Sequence, residues 1–262
     1  IVILAFISVF ILLHKDKMNM KFVLFFMFFT LIIYFIHGFF ISTKWQLSPF
    51  YLLVLILIGL SYRVPKKRFK RILITTISSL LTILTIALLY AFPISTMPKP
   101  RGTYDIGLRT YTIEDLDRLE LYTEDLNDTR EFAFSMWYPA SIDGSFKQTY
   151  WMDNDQVPVG LAKSVGLPSF VLSQIVEVKA HAYLNAPISQ EQTSYPLVVI
   201  SHGWGGFMSL HTDLAEELAS QGYIVVSIDH TYGSVSTKLS DKTVFQNMEA
   251  LPDRSENGFL DK

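Results

Sequence analysis

The chain has 262 residues, room for one or two domains, with 50% hydrophobic, 14% aromatic and 18% charged residues and a net charge of −2. That near-neutral total joins two unlike parts: residues 1–101 carry 12 Lys and Arg against one acid, Asp16, and the remainder carries 10 bases against 23 acids. The acidic part therefore lacks the clustered positive charge a nucleic-acid partner needs, and the absence of cysteine excludes disulfides, zinc-thiolate sites and thiol catalysis.

In chain order the basic part comes first and reads as a membrane domain, 1–92, of about four transmembrane helices. Ile1 to Leu13 is apolar but too short to cross a bilayer, and with Ile rather than Met at its start it reads as the remnant of a truncated span. Phe22 to Ile41 is long enough and has no full charge, only His37, which either serves a function within the membrane or packs against a neighbouring helix or sits near the interface. Leu47 to Tyr62 is shorter, with Trp45, Tyr51 and Tyr62 placed for the interface, and Ile72 to Phe92 is the fourth run. Several such runs without a small-residue cleavage pattern argue for permanent helices rather than a signal peptide. Lys15, Lys17 and Lys21 mark the first connecting loop, Lys44 alone the second, and Arg63, Lys66, Lys67, Arg68, Lys70 and Arg71 the third. Positive loops stay in the cytoplasm, so the predicted protein is multi-pass in the cell membrane, with the lipid bilayer as partner and the acidic domain extracytoplasmic. The third loop also suits contact with anionic lipid. Residues 93–101, with Pro93, Pro98 and Pro100, cannot continue a helix and form a linker.

Residues 102–262 are the soluble domain. Gly102 to Ile113 and Arg130 to Tyr138 alternate apolar and polar residues as strands do, with a turn near Glu124 to Asp128 and a loop over Pro139 to Phe146. Val157 to Val178 is apolar with interruptions, and Pro168 divides it into two short helices. Pro196 then opens Leu197-Val198-Val199-Ile200, which predicts a strand buried on both faces, and Ser201-His202-Gly203-Trp204-Gly205-Gly206 turns it sharply. Thr212 to Gln221 follows as a helix, with Leu214, Ala215, Leu218 and Ala219 on one face and Gly222 at its stop. Tyr223 to His230 is a second buried strand. The crossover makes the two strands parallel, and chemistry in such units sits at the strands' carboxyl ends. Beyond Tyr232-Gly233-Ser234 the chain is polar, Ser240 to Lys262 is a long excursion, and no further strand is predicted.

His202-Gly203-Trp204-Gly205-Gly206, directly after an apolar strand, resembles the oxyanion loop of α/β-hydrolases. The wider run from Pro196 through Phe207, Leu218-Ala219-Ser220-Gln221-Gly222-Tyr223 and Asp229-His230 resembles the type II platelet-activating-factor acetylhydrolases and their bacterial relatives. The likeness covers roughly residues 100 to 235 and none of the membrane half. The expected fold class is therefore an α-helical transmembrane region, read from the apolar runs, followed by an incomplete α/β-hydrolase domain, 102–262, for which the resemblance implies a mixed, mainly parallel sheet flanked by helices and antiparallel strands at its start. The resemblance also implies that the backbone N–H of Trp204 points at an oxyanion, with His202, Gly203, Gly205 and Gly206 shaping the loop. The 157–178 region is then a lid or acyl-chain surface, or more plainly two helices covering the sheet.

An esterase of this kind needs a serine on a Gly-x-Ser-x-Gly elbow, a histidine and an acid. The sequence contains no such elbow. Tyr232-Gly233-Ser234-Val235-Ser236 comes nearest and lacks the second glycine. The expectation is that the nucleophile and its partners lie beyond Lys262 and that the fragment alone is inactive. A local triad of Ser201, His230 and Asp229 is disfavoured because adjacent strand residues point to opposite faces. The resemblance thus implies a serine esterase acting on short acyl esters, phospholipids included, with no cofactor and no metal, and the apolar runs make it membrane-anchored. The alternative is a non-catalytic membrane protein whose hydrolase-like domain binds a ligand or partner. A transporter is the weakest reading, for want of paired charges and broken helices.

Overall fold

The computed structural model describes residues 2–13, 25, 28–30, 32, 44–93, 95–125, 127–152 and 154–250. Packing divides the chain into two units, Ile1–Pro93 and Ile94–Lys262.

The first unit contains helices α1 (Val2–Leu13), α2 (Ser48–Tyr62) and α3 (Arg68–Ala91). Pro49 lies in the first turn of α2, where its missing N–H is not needed. Ala5, Val9 and Leu13 of α1 bury against Phe50, Leu53 and Leu57 of α2. Among the described residues α3 alone is long and apolar enough to cross a membrane, with a mean hydropathy of 2.4 over its most apolar window. Only 17% of that window is buried, which separates it from the core helix of a soluble protein and supports membrane association. The hydroxyls of Thr75, Ser79, Thr82 and Thr85 donate to carbonyls four residues back, so these polar groups need no water. The predicted span Phe22 to Ile41 lies mostly outside the described residues, and α1 and α2 are shorter than a full crossing.

The second unit is built on a six-stranded sheet in the order β3-β4-β1-β2-β6-β5. Its strands are β1 (Asp105–Leu119), β2 (Thr129–Ala140), β3 (Gln148–Tyr150), β4 (Lys179–Leu184), β5 (Leu197–Ser201) and β6 (Ile224–Ile228). The expectation of a mainly parallel sheet is overturned: β1–β2, β2–β6 and β3–β4 are antiparallel, and only β1–β4 and β5–β6 run parallel. The reason is the long β1–β2 hairpin, whose ladder runs from Asp105 opposite Ala140 to Asp115 opposite Arg130 and occupies the middle of the sheet. It also sets β2 directly against β6, from Phe134 opposite Ile228 to Trp137 opposite Val225.

The strand–helix–strand unit forms as the sequence predicts: helix α5 (Thr212–Ser220) links β5 to β6. Yet β5 is the last strand of the described sheet and is not buried on both faces. Val198 and Ile200 pack towards α5 with Ala215, Ala219 and Trp137, whereas Leu197 and Val199 are 61% and 57% exposed. Helix α5 is pinned near its C-terminal end by the segment before β1. Arg101 binds Glu217 through its amide and its guanidinium, while Gly102 N donates to Ser220 Oγ at 3.0 Å and Tyr104 N to the Ser220 carbonyl at 3.1 Å.

Helix α4 (Gln156–Ser164) and a 3-10 segment, Ser169–Glu177, flank Pro168 as expected, and Val157 buries with Met152, Val235 and Phe207 of the turn after β5. Two further short strands, β7 (Ser236–Lys238) and β8 (Thr243–Phe245), form an antiparallel hairpin where none is predicted. Three residues each is too little for an alternating pattern to register.

Candidate active site

The β5–β6 register decides what meets at the carboxyl end of the sheet. Ser201 stands opposite Ile228, so the residues that follow, His202 and then Asp229 and His230, emerge side by side. Helix geometry and the hairpin of the following loop do the rest.

The turn after β5 is stapled to the loop after β6. Gly205 N donates to the Gly233 carbonyl at 2.8 Å, Val235 N to the Gly206 carbonyl at 3.0 Å, and Gly206 N closes a turn onto the Gly203 carbonyl at 2.9 Å. Gly205 has φ +74, a region that disfavours any side chain, and a Cβ at Gly206 would lie 2.8 Å from His202 Cβ. Gly203 is different: a Cβ there would meet nothing within 4 Å, so its place is open space over the site.

Trp204 is 42% exposed. Among the described residues nothing accepts a hydrogen bond from its backbone N–H. Its indole is held: with the Gln246 amide turned so that its oxygen faces the loop, that oxygen accepts from Trp204 Nε1 at 2.8 Å and from Gly205 N at 3.2 Å. A cavity of about 550 Å³ opens here, lined by Gly203, Trp204 and His230 on one side and by Leu119, Leu121 and Tyr122 on the other.

His202 is buried beneath the turn. Its Nδ1 lies 2.8 Å from the Gly203 carbonyl, which can only accept, so Nδ1 carries a proton. Its Nε2 is 2.9 Å from Ser234 Oγ and 3.6 Å from Asp229 Oδ1. Asp229 Oδ1 also accepts from Met208 N at 2.7 Å and from Ser234 Oγ at 3.1 Å. This buried cluster ties the two loops together. Ser234, the serine of the elbow look-alike, is therefore an interior group with its hydroxyl committed, not an exposed nucleophile.

Ser201 and His230 meet on the outer side, with Ser201 Oγ 2.7 Å from His230 Nε2. Burial first, then the adjacent His202 ring at 4.9 Å, push the His230 pKa below its ordinary 6.5, with Asp229 partly opposing. The ring is neutral at neutral pH and able to accept the serine proton. Asp229 points the other way, into the buried cluster, and among the described residues it makes no bond to His230. The local triad is thus two-thirds assembled, lacking its orienting acid.

Arg130 was not legible as a site residue. It lines the cavity, bound to buried Glu120 at 2.9 and 3.1 Å and to the Thr231 carbonyl at 2.9 Å, and its guanidinium lies 4.9 Å from the centre of the Tyr232 ring. Tyr232 itself has φ +65, strained backbone held in place by these contacts. Gln246 was equally invisible, since it reaches the loop only through the unpredicted β8. Among the described residues no group of three or more His, Asp or Glu side chains is placed to hold a metal ion.

A mixed sheet with a parallel strand–helix–strand unit, and a glycine turn at the carboxyl end of its first strand, defines an α/β-hydrolase-like protein. The family model described as platelet-activating factor acetylhydrolase, isoform II, matches residues 90–255, and the chain belongs to that family. It is 32% identical over 148 residues to the platelet-activating factor acetylhydrolase of Cavia porcellus, covering 55% of this chain and 30% of that protein. It is 31% identical over 147 residues to the protein of the same name from Canis lupus familiaris, covering 54% and 30%. The chain thus spans about a third of the length of these curated relatives. Among solved structures a ferulic acid esterase from Streptomyces cinnamoneus aligns with a TM-score of 0.49 at 25% identity, over 63% of this chain and 44% of that one.

Proposed function

We propose that this chain carries the oxyanion-forming side of a membrane-anchored serine ester hydrolase that acts on short acyl esters, phospholipids among them, with its hydrolase unit facing outward. The observation that carries the reading is the Trp204 backbone N–H, which has no acceptor among the described residues, on a residue that lines a cavity at the carboxyl ends of β5 and β6. His202, Gly203, Gly205 and Gly206 shape the turn that presents it. The exposed Leu119 and Leu121, at and just past the end of β1, give the cavity an apolar side suited to an acyl chain. The names of the curated relatives support the phospholipid assignment. With no Gly-x-Ser-x-Gly in these 262 residues, the nucleophile, its base and its acid are assigned to sequence outside them.

The test is turnover of p-nitrophenyl acetate by the full-length protein. The expected result is hydrolysis abolished by a serine-directed phosphonate, retained in Ser201→Ala, and absent from the 262-residue chain alone. The 2.7 Å Ser201–His230 contact favours a second reading, in which Ser201 is the nucleophile. Loss of turnover in Ser201→Ala with the fold intact would select it. A full-length protein without turnover would leave a ligand-binding domain.

Orientation has its own check. The chain contains no cysteine, so a single cysteine at exposed Asp143 reports the side of the membrane. Labelling of intact cells by a membrane-impermeant maleimide is expected; protection until lysis would reverse the topology.

A further inference from the structure

The helical unit holds a second, larger cavity, of about 850 Å³, where α2 gives way to α3. Its walls are apolar: Ile56 and Leu60 from α2, Ile74 from α3. Its rim is basic: Arg63, Lys66, Lys67 and Lys70, all exposed. The turn that carries them is fixed, because Arg71 Nε donates to the Pro65 carbonyl at 2.8 Å. Among the described residues of this unit no carboxylate neutralises the rim.

A hollow with apolar walls and four cations at its mouth that no described carboxylate neutralises, next to the start of a helix long and apolar enough to cross a membrane, matches an amphiphile with an anionic head. We propose that this cavity binds one anionic phospholipid, its phosphate held by Arg63, Lys66, Lys67 and Lys70 and the first methylenes of its acyl chains lying against Ile56, Leu60 and Ile74. A general polybasic patch would draw the same lipids by charge alone. The walls distinguish the two, and Gly59 supplies the means. It lines the cavity, and a Cβ built there meets nothing within 4 Å. A larger side chain at this position fills the hollow while leaving every charge in place.

The experiment places the full-length protein in nanodiscs of phosphatidylcholine with a minor fraction of phosphatidylglycerol and counts phosphatidylglycerol retained per chain by native mass spectrometry. One tightly held molecule is expected. Lys66→Gln, Lys67→Gln and Lys70→Gln together should lower its retention about a hundredfold, at roughly a factor of five for each lysine near an anionic headgroup. Gly59→Phe should lower it by about tenfold or more through lost methylene contact. Should Gly59→Phe fold poorly by circular dichroism, Ile74→Trp narrows the hollow from the opposite wall. Retention unchanged in the filled variants, or no retained phosphatidylglycerol in the parent, overturns the proposal. Displacement of the lipid by millimolar inorganic phosphate would overturn it too, by assigning the site to the free anion.

Discussion

Replacing the Gly203–Trp204 amide by an ester in the full-length protein, through the α-hydroxy analogue of tryptophan, is expected to lower kcat by about 10²–10³ with KM within a few fold. The reasoning is geometric. The bonds that hold the turn run from Gly205 N, Gly206 N and Val235 N, and none uses the Trp204 N–H. Deleting that donor therefore leaves the loop in place and removes only its interaction with charge that forms on the carbonyl oxygen during attack. Such a donor acts in the transition state far more than in the substrate complex, so the loss appears in kcat. Trp204→Ala is the counterpart. It keeps the N–H and gives up the indole–Gln246 bond, so its effect is expected mainly in KM and acyl-chain preference. An ester variant with unaltered kcat would remove the Trp204 amide from the mechanism.

The elements on which this prediction stands were the ones the sequence displayed most openly. The run Leu197–Ile200, the glycines after it, and Thr212–Ser220 with Gly222 behind it form a local unit whose signals lie within about thirty residues. What lay hidden was everything set by partners far away in the chain. Val198 and Ile200 bury and Leu197 and Val199 do not, because β5 stands at the end of the described sheet, and four consecutive apolar residues look the same in either setting. Strand β4, Lys-Ala-His-Ala-Tyr-Leu, alternates faithfully, with Ala180 and Ala182 buried, but alanine is depleted in strands and hides the pattern. Its antiparallel pairing with β3, the β1–β2 hairpin and the insertion of β2 beside β6 turned an expected mixed, mainly parallel sheet into one with antiparallel pairings in the majority. The site followed the same division. His202, Gly203, Trp204 and Gly205 stand together in one turn, whereas Ser234, Gln246 and Arg130 reach it by tertiary folding that no spacing announces.

The other large effect concerns Glu216, a carboxylate on α5 with no exposed surface. Its Oε1 accepts from two consecutive amides of β4, His181 N and Ala182 N, both at 2.7 Å, and among the described residues its Oε2 has no partner. Glu216→Ala strands both amides in the interior at about 1–3 kcal/mol each and leaves a void, so a loss of roughly 3–5 kcal/mol is expected. Glu216→Gln keeps the accepting oxygen and should remain within about 1 kcal/mol of the parent near neutral pH. Their pH dependence separates charge from hydrogen bonding. Burial raises the Glu216 pKa above its ordinary 4.5, and the two amides only partly oppose the shift. The folded state then holds a proton that the unfolded state has released, so this stabilising contribution is fully present below 4.5 and is lost as pH rises through the raised folded value. Urea midpoints of the full-length protein across that window, with hydrogen exchange at the Ala182 amide to locate the effect, should fall with rising pH in the parent and lose that component in Glu216→Gln. A slope preserved in Glu216→Gln would assign the titration to another group, and an Ala variant as stable as the parent would mean that β4 finds a different acceptor for its two amides.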